Sequence, residues 1–163
     1  MGATEDLARI GEQERRLCFR QFGLAEAWDL GCRIRRLAEA KGIAVAIEVR
    51  LGRRTVFQSA MPGTTALNAD WARRKLNSVE LAERPTYAIG LDQRPGTPGL
   101  AEIAALPVRD FAAHGGGFPI RVEGSGCVGA VAVSGPPQRQ DHGLVVEALA
   151  EMCGVPLAEI ALE

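Results

Sequence analysis

Apolar positions recur along this chain at two periods, and each switch of period marks a new element. Residues 3–20 set Leu7, Ile10 and Leu17 at helical spacing, with Glu14 between them, which predicts a short charged helix. From Leu24 to Lys41 the spacing is helical again, with Leu24, Ala27, Leu30, Ile34, Leu37 and Ala38 on a broad apolar face and Trp28, Cys32 and Arg35 beside it. Lys41-Gly42 reads as the stop, a cation in the last turn followed by glycine. The period then drops to two. Ile43, Val45, Ile47 and Val49 alternate with Ala44, Ala46, Glu48 and Arg50, and Thr55 to Ser59 returns after a Gly-Arg-Arg turn, which predicts a hairpin.

A third helix is predicted from about Ala66 to Glu83, opened by threonine and closed by Pro85; Leu67 with Trp71 and Ala72 with Leu76 are four residues apart. Thr86 to Leu91 reads as a strand or extended segment, and residues 92–99, rich in proline and glycine, as a surface loop. Ala101 to Leu106 fits either a short helix or a strand. Phe118 to Glu123 and Cys127 to Ser134 form a second hairpin; the latter run is small or apolar on both faces, so both faces should be covered. A last helix runs from Gln138 to about Cys153. Hairpins dominate and no strand–helix–strand repeat occurs. The expectation is an α+β domain spanning residues 1–163, an antiparallel sheet with helices packed on it, with an N-terminal helical extension over about residues 1–23.

Composition narrows the function classes. The 19 basic and 20 acidic residues leave a net charge of −1, which argues against a nucleic-acid-binding face over the whole domain. No apolar run nears the roughly 20 residues that span a bilayer, and the charged first 16 residues lack a signal-peptide core. The expected location is the cytoplasm. The four cysteines, Cys18, Cys32, Cys127 and Cys153, lie far apart without metal-ligand spacing and read as reduced thiols.

The candidate chemistry centres on His114-Gly115-Gly116-Gly117-Phe118-Pro119-Ile120, which joins one of two histidines to three glycines. The run is neither a dinucleotide fingerprint nor a P-loop, because a strand follows and no Gly-Lys-Ser/Thr is present. Composition reads it as a flexible turn into a strand. The sharper reading is a loop against whose bare backbone a planar ligand lies. His114 is open to roles as metal or haem ligand, proton carrier or turn residue. Arg73, Arg74 and Lys75 form a basic cluster, read as a solvated helix face unless their helix end reaches the loop, where they would meet haem propionates. Asp141-His142 falls near the start of the last helix, where aspartate complements the helix dipole and the histidine is held neutral. Tyr87 is a phenolate ligand in principle and a packing residue by default. No catalytic triad, HExxH or paired carboxylate is present.

Taken together, Pro62-Gly63-Thr64, Trp71-Ala72-Arg73-Arg74-Lys75, the His114 to Ile120 stretch, Val131 to Gln138 and Asp141-His142 resemble the haem-degrading-domain family, over nearly the whole chain from Leu24 onward. The likeness is to its branch of small proteins of about 160 residues. The resemblance implies a GlcG-like, profilin-like fold with an antiparallel sheet of about five strands flanked by helices, and homo-oligomers. Branches of the family include a haem-binding extracellular sensor and a domain attached to corrinoid adenosyltransferases. The implied function is binding of haem or another tetrapyrrole, with a part in haem degradation. The resemblance does not carry a ligand over residue by residue; His114 is the candidate iron ligand by its chemistry, and Gly115, Gly116, Gly117, Arg74, Lys75 and His142 are the other candidate binding residues. Two other readings stand beside it: a non-catalytic oligomeric module, and a small-metabolite protein whose site is built at a subunit interface by Arg74, Lys75 and His114.

Overall fold

A computed structural model describes residues 2–162. Helix α1 spans Ala3–Arg16, followed by the two-residue strand β1, Cys18–Phe19. Then come α2 (Leu24–Lys41), β2 (Ala46–Leu51), β3 (Arg54–Ala60) and α3 (Ala66–Ala82). Short helices α4 (Thr86–Asp92) and α5 (Leu100–Ile103) precede β4 (Gly117–Val122), β5 (Gly126–Ser134), α6 (Gln138–Cys153) and α7 (Leu157–Ile160). The sheet has five strands in the order β1-β4-β5-β2-β3.

Four of the strands pair antiparallel, as the two hairpins require, but β1 lies parallel to β4. The sheet is therefore mixed rather than purely antiparallel. The fifth strand is Cys18–Phe19, inside the segment expected to be helical to residue 20; the helix ends at Arg16, where Leu17 leaves helical geometry (φ −87°, ψ 68°). Thr86 to Leu91, expected to be extended, is helical instead. Pro85, whose ring fixes φ near the helical value, stands at its N-terminus with φ −58° and starts the turn.

Helices cover both faces of the sheet. On one face α2 and α6 pack through Leu30, Ile34, Val145 and Leu149 against Ile47, Val49, Phe118, Ile120, Val131 and Val133. On the other, Ala72, Leu76 and Val79 of α3 meet Ala130 and Ala132. Strand β5 thus presents valines to one layer and alanines to the other. The alternation follows from the period of two, and the small side bears the closer helix. The expectation that this strand is covered on both faces holds. Helix α1 packs on α4 through Ile10, Tyr87 and Ala88. Its fully buried Gln13 donates from Nε2 to the Ile160 carbonyl (2.8 Å).

Candidate functional site around His114

The segment entering β4 crosses the end of the sheet where α3, α4 and the first turn of α6 converge. Each glycine of the run is needed there because protein fills the space its side chain would occupy. A Cβ on Gly115 would strike the carbonyl of Gln138. On Gly116 (φ +121°) it would lie 2.6 Å from the Val133 carbonyl oxygen and 2.8 Å from Lys75 Nζ. On Gly117 it would meet Thr86 Cγ2 at 2.8 Å and Val79 Cγ2 at 2.9 Å. The backbone is also tied: Gly115 N–H donates to Gln138 Oε1 (3.1 Å) and Gly117 N–H to Thr86 Oγ1 (2.9 Å). The run is a fixed, close-packed entry to β4.

What the glycines make room for is an ion pair. Lys75 Nζ donates to Asp141 Oδ2 (2.8 Å) and to the Val133 carbonyl (2.8 Å), and both side chains are 3 % exposed. Burial lowers the Lys75 ammonium below its ordinary value, against the pull of Asp141. Burial raises the Asp141 carboxyl to about 6, against the pull of Lys75. Both groups are pushed toward neutrality, because desolvation outweighs attraction in such a site. Asp141 Oδ1 has no hydrogen-bond partner.

His114 lies just outside this pair. Its ring meets Trp71 edge-on, centroids 4.9 Å apart, and the Arg74 guanidinium stacks 4.4 Å above the Trp71 ring. Arg74 also donates to the Phe111 carbonyl (3.0 Å). His114 is exposed, and partial desolvation together with Lys75 and Arg74 lowers its pKa, which favours the neutral imidazole. Two clefts open on either side of it. One, of about 340 Å³, has Arg74, Tyr87, Gln93 and Gln138 in its lining. The other, of about 260 Å³, is walled by Leu67, Trp71, Pro136 and the buried pair.

Of the residues expected at the site, His114, Arg74, Lys75 and the glycines come together, and His142 does not. Its ring is 1 % exposed, packed between Tyr87 (5.3 Å) and Phe118 (6.0 Å). Its Nε2 lies 2.8 Å from Gln13 Oε1, an acceptor, so Nε2 carries the proton. Burial drives its pKa down to about 3. Tyr87 hydroxyl meets Asp6 and Arg139 and holds α1 to α6. Trp71, Gln138 and Asp141 belong to the site and were absent from the expected set. Among the described residues no group of three or more His, Cys, Asp or Glu side chains could hold a metal ion, and no helix is long and apolar enough to cross a membrane.

The sequence profile of the family described as haem degrading protein HbpS-like matches residues 22–150, most of the chain and all of the site. The chain belongs to the HbpS-like family. A UPF0303 protein of Azotobacter vinelandii is 52% identical over 163 residues, covering 100% of this chain and 98% of its own length. Another, of Rhizobium meliloti, is 45% identical, over 100% of this chain and 99% of its own. Among solved structures, the Ybr137w protein superposes with a TM-score of 0.81 at 24% identity, covering 91% of this chain and 87% of that one. The PduOC:heme complex gives 0.70 at 17%, covering 79% and 93%. A double mutant of Streptomyces reticuli HbpS gives 0.65 at 21%, covering 81% and 86%. At these identities the structural likeness is one of fold. The family match ends at residue 150 and begins at 22, so α1 and α7 lie outside it in this HbpS-like chain.

Proposed function

We propose that this HbpS-like chain binds haem or a related iron tetrapyrrole at the clefts around His114, with an His114 ring nitrogen as the iron ligand. The observation that carries this reading is an exposed imidazole at the junction of two clefts; the neighbouring Lys75 and Arg74 cations favour the unprotonated ring that ligation of iron needs. The fit is specific in its parts. Leu67, Trp71 and Pro136 offer an apolar wall on one side. Arg74 brings a cation to the polar side, suited to a propionate. Lys75 does not fit as a propionate anchor, because its ammonium is already committed to Asp141 and Val133; its role is to hold the β4 entry. His142, sealed beneath Tyr87, is not a binding residue in this reading. When bound, haem supplies the iron centre, whose reactivity its axial ligand and pocket tune. The chain's own residues orient it.

The test is a haemin titration followed at the Soret band, with His114→Ala beside the wild type. The expected result is saturable binding whose Soret position and affinity both change in the variant, by about tenfold or more in affinity for loss of an iron ligand. Identical spectra and affinities would remove the ligand assignment. Degradation is a separate claim, and it stands only if bound haem yields free iron and a linear tetrapyrrole.

A second reading, a small carboxylate held by Arg74, His114 and Gln138, draws on the polar lining of the larger cleft. A small acid released on denaturing the purified protein would favour it. We also infer a homo-oligomer in the cytoplasm. Four free thiols suit a reducing compartment. A monomer by light scattering at micromolar concentration would end the oligomer claim.

A further inference from the structure

Strand β3 ends the sheet, so its outer side meets no other strand among the described residues. The direction of its backbone groups can be read from one bond: Met61 N–H donates to the Val45 carbonyl (3.2 Å). In an antiparallel ladder that direction alternates along the strand. Ser59 and Phe57 therefore bond to β2, while Gln58 and Ala60 turn N–H and C=O outward. Both are exposed. The opposite edge, β1, is only two residues long.

Exposed edges are normally blunted by lysine, proline, charge or a bulge. In β3 a bulge falls at Val56, where the register passes from Val49 opposite Phe57 to Arg50 opposite Thr55. The one charge of the strand, Arg54, lies on the far side of it. From Phe57 to Ala60 the edge is regular and carries neither charge nor proline.

Helix α2 leans over the same edge. Trp28 meets the Phe57 ring edge-on, centroids 5.5 Å apart, and Arg35 Nη1 donates to Ser59 Oγ (2.9 Å). Leu24, Trp28 and Cys32, four residues apart, make a stripe on this flank of the helix. Leu24 and Trp28 are 59 % and 64 % exposed, and Cys32 is exposed too. The charges beside the stripe are satisfied within the helix, Asp29 by Arg33 and Glu39 by Arg35 (3.0 Å each). An uncovered apolar stripe thus runs alongside an unguarded strand edge.

We propose that β3 pairs antiparallel with β3 of a second copy of this chain, across a two-fold axis at Ser59 perpendicular to the sheet. This rests on the homo-oligomer reading and names its interface. Gln58 of each copy then stands opposite Ala60 of the other, and the outward groups form four backbone hydrogen bonds. The helices select a copy over an unrelated strand, which would satisfy the edge and leave Trp28 in water. A copy brings its own α2 on the same face. Strands lie about 4.8 Å apart, and α2 packs on β2 and β3 alike, so its axis runs about 5 Å from the two-fold. The two helices then lie about 10 Å apart, the distance at which helices pack. Leu24, Trp28 and Cys32 of both copies fill the space between them, and every contact is made twice, as in an isologous dimer.

The test is sedimentation velocity on the full chain at micromolar concentration, with Gln58→Pro and Trp28→Lys beside the wild type. Proline at 58 removes an outward donor and leaves the bonds to β2 intact, and residue 28 is on the surface, so both variants keep the wild-type circular dichroism spectrum. The expected result is a wild-type dimer, or a multiple of one, that both variants break into smaller species. Trp28→Lys should raise the dissociation constant about thirtyfold or more, as loss of a central tryptophan does. Gln58→Pro, which removes one backbone bond from each copy, should raise it about tenfold. In the wild type a short bismaleimide should join two chains through Cys32, and Cys32→Ser should abolish the product. An assembly unchanged in both folded variants, or no Cys32–Cys32 product from an oligomeric wild type, overturns this interface and leaves the homo-oligomer reading standing. A monomeric wild type ends both.

Discussion

Removing one partner of the Lys75–Asp141 pair should cost far more than removing both. With both side chains 3 % exposed, Lys75→Met leaves a carboxylate, and Asp141→Leu an ammonium, in a site without solvent. Breaking a buried pair in this way costs about 3–5 kcal/mol, whereas replacing both members by apolar groups is commonly neutral or stabilising by about 1–4 kcal/mol. For a chain of 163 residues the single variants should melt about 6–20 °C lower. The double variant Lys75→Met/Asp141→Leu should melt at or above the wild type. The pH dependence sharpens the test. The Asp141 carboxyl is raised in the fold from 3.8 to about 6, so the folded state holds its proton longer than the unfolded chain does. Its contribution to stability is complete below pH 3.8 and is lost as pH rises through about 6. In Asp141→Leu this slope disappears, so the deficit of the variant against wild type shrinks as pH rises. In Lys75→Met the lone carboxyl is neutral only at low pH, so the deficit grows as pH rises. Urea unfolding of the four proteins from pH 4 to 8, followed by circular dichroism, gives both quantities. Single variants within about 1 kcal/mol of wild type, or pH slopes of the same sign, would refute the account of this pair as a buried, mutually dependent unit.

Gly116→Ala should destabilise the fold by about 1–3 kcal/mol, since it strains a positive φ and crowds Lys75 Nζ; a neutral effect in urea would show that the β4 entry relaxes freely. His142, with its pKa lowered from 6.5 to about 3, supports the fold above pH 6.5 and withdraws that support as pH falls toward 3. Imidazole nitrogen NMR should find it neutral, protonated on Nε2, at pH 5, and an imidazolium signal there would contradict its burial. Burial also raises the Cys153 thiol to about 11, while Cys32 is exposed. Iodoacetamide at pH 8 should label Cys32 first and Cys153 slowly, and equal rates by peptide mass spectrometry would count against the burial of Cys153.

The hairpins and long helices were legible because each buries one face, so period and burial coincide. Val131 and Val133 against Ala130 and Ala132 could be placed on opposite faces from the alternation alone. The failures fell where local pattern and tertiary pairing part company. Cys18–Phe19 is too short to show alternation, and it is a strand only because β4 offers an edge over a hundred residues away. Thr86 to Leu91 is too short to declare a period, and tertiary contact decides it: Thr86 Oγ1 accepts from Gly117, and Tyr87 seals His142.

The site was half legible for a related reason. The sequence marks bare backbone at Gly115 to Gly117 but not what lies opposite it, and that is supplied by Gln138, Lys75 and Thr86, from three other elements. The basic cluster holds a further signal in its helical spacing. Successive helix positions turn by about 100°, so Arg73, Arg74 and Lys75 cannot share one solvated face. Arg73 turns to Asp70 and Asp110, and Arg74 to Trp71 and Phe111. Lys75 stands one helical turn from Ala72 and Val79 and beside Leu76, inside the apolar stripe of α3. A lysine in such a stripe must find a carboxylate or lose its charge. Asp141, in the first turn of the last helix, is the carboxylate that meets it. The need of Lys75 for a partner is therefore implicit in the periodicity, and the structure supplies Asp141. The pair fixes the β4 entry, and with it the position of His114, before any ligand is considered.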